Sequence, residues 1–398
     1  MPPPRPHPLA RAPLASRLDR LIGKAWERSW MDRVPLDPEE LIERGSKGFE
    51  PEDEAGGRSA DDLADFRERL DSLCKAIESE ANLNNLGRAF AYGQLVRAIK
   101  QRFALGALWR TQPGLLKTEI APPIIVIGQM RSGTTRIHRL LAADPALAAT
   151  RFCDSWHPVP EKPDFRPVRG ALTLFMARKL DPWIDSLHPF GAARADEELG
   201  WLASALDHSA YEAQWRIPSY AAFSEARDPA PVYREFARLL RTDAAHQGNS
   251  SKPRVIKTPQ FAEDLPALLA QFPDGRIIVA RRNDEDTLRS SVSLVANQMV
   301  IQSNNVDLRW IEAEWQRKLA LRSQRLDDGL AQSRNLVSEV HFERLGSDWE
   351  TEIAHIYQSL DISLSSEALV AMRKIQKNAA SSPHHGHGND MAKFPKAS

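Results

Sequence analysis

The run IIVIGQMRSGTT, residues 124–135, opens with four apolar residues, Ile124 to Ile127, passes through Gly128 and Gly133, and enters a helix-forming stretch at Thr134. An unbroken β-branched run of this length fits a strand buried on both faces, because helices covering each side remove the usual alternation. The helical pattern from Thr134 to Ala143 is stopped by Asp144-Pro145, since the residue before a proline is pushed out of the helical region. Downstream the same order repeats. Val255-Ile256 reads as a strand, Phe261 to Phe272 as helical, Ile277 to Ala280 as a further buried strand, and Asp284 to Met299 as the next helix. Val337 to Phe342 and Asp348 to Leu360 supply one more strand and helix. Strands alternating with helices predict an α/β fold: a doubly wound parallel sheet flanked by helices.

The remaining segments are arranged around that unit. Residues 121–398 are expected to form the α/β domain, with 153–251, rich in aromatics, prolines and histidines, as a substrate-facing helical insertion. Upstream, apolar residues at helical spacing (Leu70, Leu73, Ile77, Leu95, Ile99) predict an N-terminal helical subdomain over 60–120 that covers one side of the core. Residues 1–59 begin MPPPRPHPLARAPLASRLDRL and carry Gly56 and Gly57, which reads as a flexible arm and loop.

Composition narrows the classes. Of 398 residues, 53 are basic and 53 acidic, so the formal net charge is zero and nothing global calls for a nucleic-acid or anionic-membrane partner; anion binding has to be local. Two cysteines, Cys74 and Cys153, are too few for a disulfide framework and fit a reducing compartment, so a soluble, cytoplasmic protein is expected. No apolar run approaches the roughly 20 residues of a transmembrane helix.

Residues 128–135 have the spacing and context of a phosphate-binding loop, in which N–H groups at a helix N-terminus point at an anion. The Walker A pattern would place lysine where Thr134 stands. That lysine neutralises a polyphosphate tail together with Mg²⁺, so threonine suits a ligand with one 5′-phosphate and no metal. Arg131, inside the loop, offers instead a fork of donors.

The stretch Met130-Arg131-Ser132-Gly133-Thr134-Thr135 resembles the 5′-phosphosulfate loop, P-[KR]-S-G-T-T, of the sulfotransferases that use 3′-phosphoadenosine 5′-phosphosulfate (PAPS), and the surrounding PPIIVIGQMRSGTTRIHRLLAADP is similar to their bacterial branch. The resemblance runs from about Ala81 to Leu360 and implies a P-loop NTPase-like fold. It implies that Arg131, Ser132, Gly133, Thr134 and Thr135 hold the 5′-phosphosulfate. It also implies that Arg282 and Ser290, at the family's spacing of a strand-end arginine and a serine eight residues later, hold the 3′-phosphate. Lys257 matches the lysine that contacts the transferring group, but Pro259 and Phe261 stand where relatives carry a histidine base. Asp154, aligned with a Trp-Glu pair of relatives, and His157 are the leading substitutes, ahead of His188, Glu197, Glu198 and His208.

These readings together predict transfer of a sulfuryl group from PAPS, as co-substrate, to a hydroxyl or amine of a small-molecule or lipid-like acceptor, without metal. A P-loop small-molecule or nucleotide kinase, and a relative that binds nucleotide without turnover, are the alternatives. The tail histidines His384, His385 and His387 are too closely spaced for one metal site.

Overall fold

A computed structural model describes residues 5–7 and 9–380. The histidine-rich tail expected to be metal-free lies outside them. Five strands, β1 (Ile124–Gly128), β2 (Ala148–Ala149), β3 (Arg254–Lys257), β4 (Arg276–Arg281) and β5 (Val337–His341), form one sheet in the order β2-β3-β1-β4-β5. Every pairing is parallel, with Ile125 opposite Ile256 on one side and Ile277 on the other.

The apolar run of β1 is explained by its two coverings. Ile125 and Ile127 join Ile256, Ile277 and Val279 in a core with Phe236 and Leu240 of the Ala230–Gln247 helix and Leu268 of the Leu265–Gln271 helix. Ile124 and Val126 face the opposite way, onto Ile137 and Leu140 of the Thr134–Leu141 helix and Ile353 and Ile356 of the Trp349–Ser359 helix. Period-two alternation between two buried faces leaves no polar position in the strand. The α/β architecture with helices on both faces is thus as the sequence indicates. β2 and the long helix Leu308–Gln332 are additional to the elements read from sequence.

The N-terminal segment differs from expectation. Residues 13–55 carry three helices, Pro13–Glu27, Pro38–Ser46 and Glu52–Ala55. Pro13, one of the prolines that suggested an arm, and Pro38 further on each occupy the first helical turn, where the missing N–H costs nothing and the fixed φ favours the helix. Asp37 caps the second of these helices by accepting from the N–H groups of Glu39 and Glu40.

The Asn85–Thr111 helix is shared between two cores: Leu105 and Trp109 reach the sheet core, whereas Leu95, Ile99 and Phe103 pack with Leu70, Leu73 and Ile77. Tyr211, Trp215 and Tyr220 of the middle segment complete that second core, and Trp201 belongs to the first. These aromatics of the segment expected to face the substrate are packing residues. Residues 152–247 are mainly helices and turns, with Ala195 in an isolated bridge to Arg151, and lie over the C-terminal side of β1 and β3.

Candidate functional site

β1 is flanked by β3 and β4, and the chain winds outward from it in both directions, so the C-terminal ends of these strands form the topological switch point where ligands of open parallel sheets bind. The loop from Gln129 to Gly133 lies there. At Gly128 the backbone passes so close to β4 that an added Cβ would stand 2.6 Å from the Ala280 carbonyl oxygen and 2.7 Å from Ser132 Oγ. Gly133, with φ +96°, supplies the left-handed turn before the helix, and any side chain there would meet the Phe342 ring at 2.6 Å. Gln129 ties the loop to the Leu308–Gln332 helix by donating to Leu319 O and Ser323 Oγ, each at 2.9 Å. Arg131 is also left-handed, at φ +73°, which for a long side chain is strain held by its surroundings.

Those surroundings are the other sequence-predicted residues. Arg131 Nε donates to Ser290 Oγ at 2.9 Å and its Nη1 to Leu187 O at 2.6 Å, while Arg282 Nη1 donates to the Arg131 carbonyl at 2.8 Å. Arg282 sits over the Phe342 ring, 4.3 Å from its centroid, and has no acidic partner among the described residues. Burial, and then the nearby charge of Arg282, pull the Arg131 guanidinium down to about 10, with Glu197 acting in the opposite sense. Lys257 Nζ lies 2.5 Å from Glu197 Oε2. Lys257 is balanced by Glu197 and also lowers buried Asp196, whereas Arg131 and Arg282 have no acid at hydrogen-bond distance among the described residues, a surplus at the two arginines that an anion would relieve.

The hydrogen-bonding inventory agrees. No side chain among the described residues caps the Thr134–Leu141 helix, and with the Arg136 N–H donating to Gly133 O at 2.9 Å it is the N–H groups of Thr134 and Thr135 that are left for the loop. Ser132 Oγ and Thr258 Oγ1 are buried without a hydrogen-bond partner among the described residues. Orphaned buried hydroxyls are costly unless a ligand completes them. These donors and cations fit the phosphate and sulfate oxygens of a nucleotide carrying both groups.

The two leading base candidates are elsewhere. Asp154 is buried in an ionic cluster: Arg151 donates to it at 2.6 and 2.7 Å, Arg166 Nη2 lies 3.3 Å away, and its backbone carbonyl accepts from Trp201 Nε1. It also accepts from the Arg151 N–H at the start of its own short helix. His157 is lowered to about 4 by burial and by Arg97, Arg169 and Arg166, none of which borders the loop. His208 is engaged in a buried cluster with Lys318, Ser224 and Glu263.

The acid pair 197–198 is what the fold brings to β3. Glu198 Oε2 accepts from the Lys257 N–H at 2.8 Å, and its carboxyl is raised to about 8 by burial, opposed by that N–H. Glu197, immediately before it, meets the lysine side chain. His188 Nε2 bonds Asp196 Oδ1 at 3.0 Å and orders the approach to this pair. The sequence signal was the Asp196-Glu197-Glu198 triplet, whose facing toward Lys257 only the packing reveals.

Residues 122–366, more than half of the chain, match the Sulfotransferase family. A comparison with curated proteins gave no match. Among solved structures, sulfotransferase STF1 from Mycobacterium tuberculosis H37Rv is similar with a TM-score of 0.77 at 25% identity, covering 91% of this chain and 100% of that one. Sulfotransferase STF9 from Mycobacterium avium shares the fold, with a TM-score of 0.77 at 18% identity over 87% of this chain and 89% of its own. No helix among the described residues is long and apolar enough to cross a membrane. With its central loop, its parallel sheet and more than half of its length matched, the chain belongs to the Sulfotransferase family.

Proposed function

We propose that the chain transfers a sulfuryl group from PAPS to a hydroxyl or amine of its acceptor. The observation that carries this reading is the convergence of Arg131, Lys257 and Arg282 on a phosphate loop that has Thr134 in place of the Walker lysine. Residues Ser132 to Thr135 would hold the 5′-phosphate through backbone N–H groups and hydroxyls. Arg282 and Ser290 would hold the 3′-phosphate, and Arg131, bonded to Ser290 and to the loop, would span both anionic ends. The donor supplies a sulfur atom whose bond to the bridging oxygen breaks as the acceptor oxygen or nitrogen bonds to it. Lys257 would neutralise the charge that grows on the bridging oxygen.

The acceptor must lose a proton in that step, and we assign the base to Glu197, not to Asp154 or His157. Glu197 is the carboxylate beside Lys257, whereas Asp154 is committed to Arg151 and Arg166. Swinging Lys257 from Glu197 to the donor would free the carboxylate at the point where the acceptor arrives. A kinase reading lacks both the Walker lysine and any observation favouring it here.

Incubation with PAPS and a panel of hydroxyl- and amine-bearing acceptors tests the proposal. Release of adenosine 3′,5′-bisphosphate with a sulfated product is expected, in EDTA as well as in buffer. Formation of ADP from ATP and Mg²⁺, with no release from PAPS, would replace the proposal with the kinase.

A further inference from the structure

Two neighbouring helices carry a surface that sulfuryl transfer leaves unexplained. The Arg166–Leu180 helix buries Arg166, Gly170, Leu174 and Leu180. Its opposite face, with the preceding cap residue, presents Phe165, Val168, Leu172, Phe175 and Met176 to solvent, Val168 at 65% and Leu172 at 63% exposure. Those positions recur at helical spacing and form one apolar stripe, with exposed Lys179 on the same side over the Phe175 ring.

The Pro13–Glu27 helix packs on this one, its Leu14, Ala15, Leu18 and Ile22 gathering around Leu180 and Leu86. Its outward stripe is cationic: Arg17, Arg20, Lys24 and the following Arg28 are all exposed, and none has an ion-pair partner among the described residues. Leu21, Trp30 and Met31 are exposed beside them, and Arg28 stacks on Trp30. Eight of the twelve large apolar side chains exposed among the described residues belong to these two segments, so the apolar surface is concentrated, not scattered.

A basic stripe, an aromatic at its end and an adjoining apolar face are the elements of a helix pair lying in the headgroup region of an anionic bilayer. We propose that the Pro13–Glu27 and Arg166–Leu180 helices dock the protein peripherally on anionic phospholipid. The unpaired arginines and Lys24 give the attraction its sign; a second copy of the same cationic surface would be repelled. This docking stands on the two helices alone and does not depend on the donor or the base.

Sedimentation of the full-length protein with vesicles tests it. Binding is expected to vesicles of mixed phosphatidylglycerol and phosphatidylcholine, to weaken with salt, and to fall sharply with phosphatidylcholine alone. Arg20→Glu with Lys24→Glu, and separately Leu172→Ser with Phe175→Ser, should each lower the vesicle partition coefficient about tenfold or more. All four side chains are exposed, and unchanged circular dichroism and adenosine 3′,5′-bisphosphate binding would separate a docking defect from a failure of the fold or of the nucleotide site. Failure to bind anionic vesicles overturns the proposal, as does wild-type binding by both variants. A dimer in gel filtration that only Leu172→Ser with Phe175→Ser abolishes would assign the stripe to an interface between copies.

Discussion

Lys257 and Glu197 form a 2.5 Å ion pair at the C-terminal edge of the sheet, although one ends β3 and the other lies 60 positions earlier in the helical middle segment. The pair joins the two halves of the site. In the proposed reaction the strand edge would bring the cation for the donor, and the insertion the carboxylate for the acceptor.

Removing that carboxylate should separate chemistry from binding. Glu197→Gln is expected to lower turnover by about 10²–10⁴, the range for a lost general base, with adenosine 3′,5′-bisphosphate affinity changed by less than a few-fold. Steady-state kinetics beside titration of the nucleotide would check this. Equal losses in both would make Glu197 a partner that merely positions Lys257.

Asp154→Asn should behave differently. Taking one carboxylate from the Arg151 and Arg166 cluster removes charge-assisted hydrogen bonds while Asp164 and Asp243 remain, a loss of roughly 1.5–3 kcal/mol in stability. Denaturant unfolding would show it. Turnover per folded molecule should stay near wild type, and a selective loss of turnover would return the base to this residue.

Glycine is required at position 133 for both reasons already given, so Gly133→Ala should cost roughly 1–2 kcal/mol for the left-handed backbone, before any repulsion from Phe342. Because the Phe342 ring also supports Arg282, nucleotide affinity should fall with stability. Thermal melts with and without adenosine 3′,5′-bisphosphate measure both; an unchanged ligand-induced shift would uncouple the ring from the arginine.

The buried Glu198 makes stability depend on pH. Its carboxyl is raised from 4.5 to about 8, so the folded state holds the proton more tightly than the unfolded chain does. The associated stability is fully present below the unfolded value and is lost as pH rises through about 8, on the order of 1 kcal/mol per pH unit across that window. Glu198→Gln keeps an acceptor for the Lys257 N–H and cannot ionise. Its melting temperature should be flatter than wild type over the same window, and parallel curves would show that another group sets the dependence.

The parts legible in sequence were those fixed locally. The loop from Gly128 to Thr135, the strand ends carrying Lys257 and Arg282, and the Arg282–Ser290 spacing from the end of β4 into the following helix each depend on a few consecutive residues, and the fold gathers them. Glu197 was visible only as one of three acids, because its approach to Lys257 depends on how the helices of residues 152–247 pack. The surroundings of Asp154 were hidden for the same reason: its neighbours in space include Arg166, twelve positions on, whose ion pair with it no local pattern announces. Pro13 read as part of a flexible arm yet starts a helix. β2, two residues long, exists because Ala148 and Ala149 pair with β3, a long-range partnership that alanine propensity does not suggest.

Calorimetric titration in EDTA tests the central claim, that the site is built for a nucleotide with a 3′-phosphate and a single 5′-phosphate position. Wild type should bind adenosine 3′,5′-bisphosphate more tightly than adenosine 5′-monophosphate. Arg282→Ala should weaken the bisphosphate alone, by roughly tenfold to a hundredfold, as for loss of a charge-assisted hydrogen bond of about 1.5–3 kcal/mol. Equal affinity of wild type for the two nucleotides, or equal weakening of both in Arg282→Ala with a lowered melting temperature of the free protein, would contradict the account.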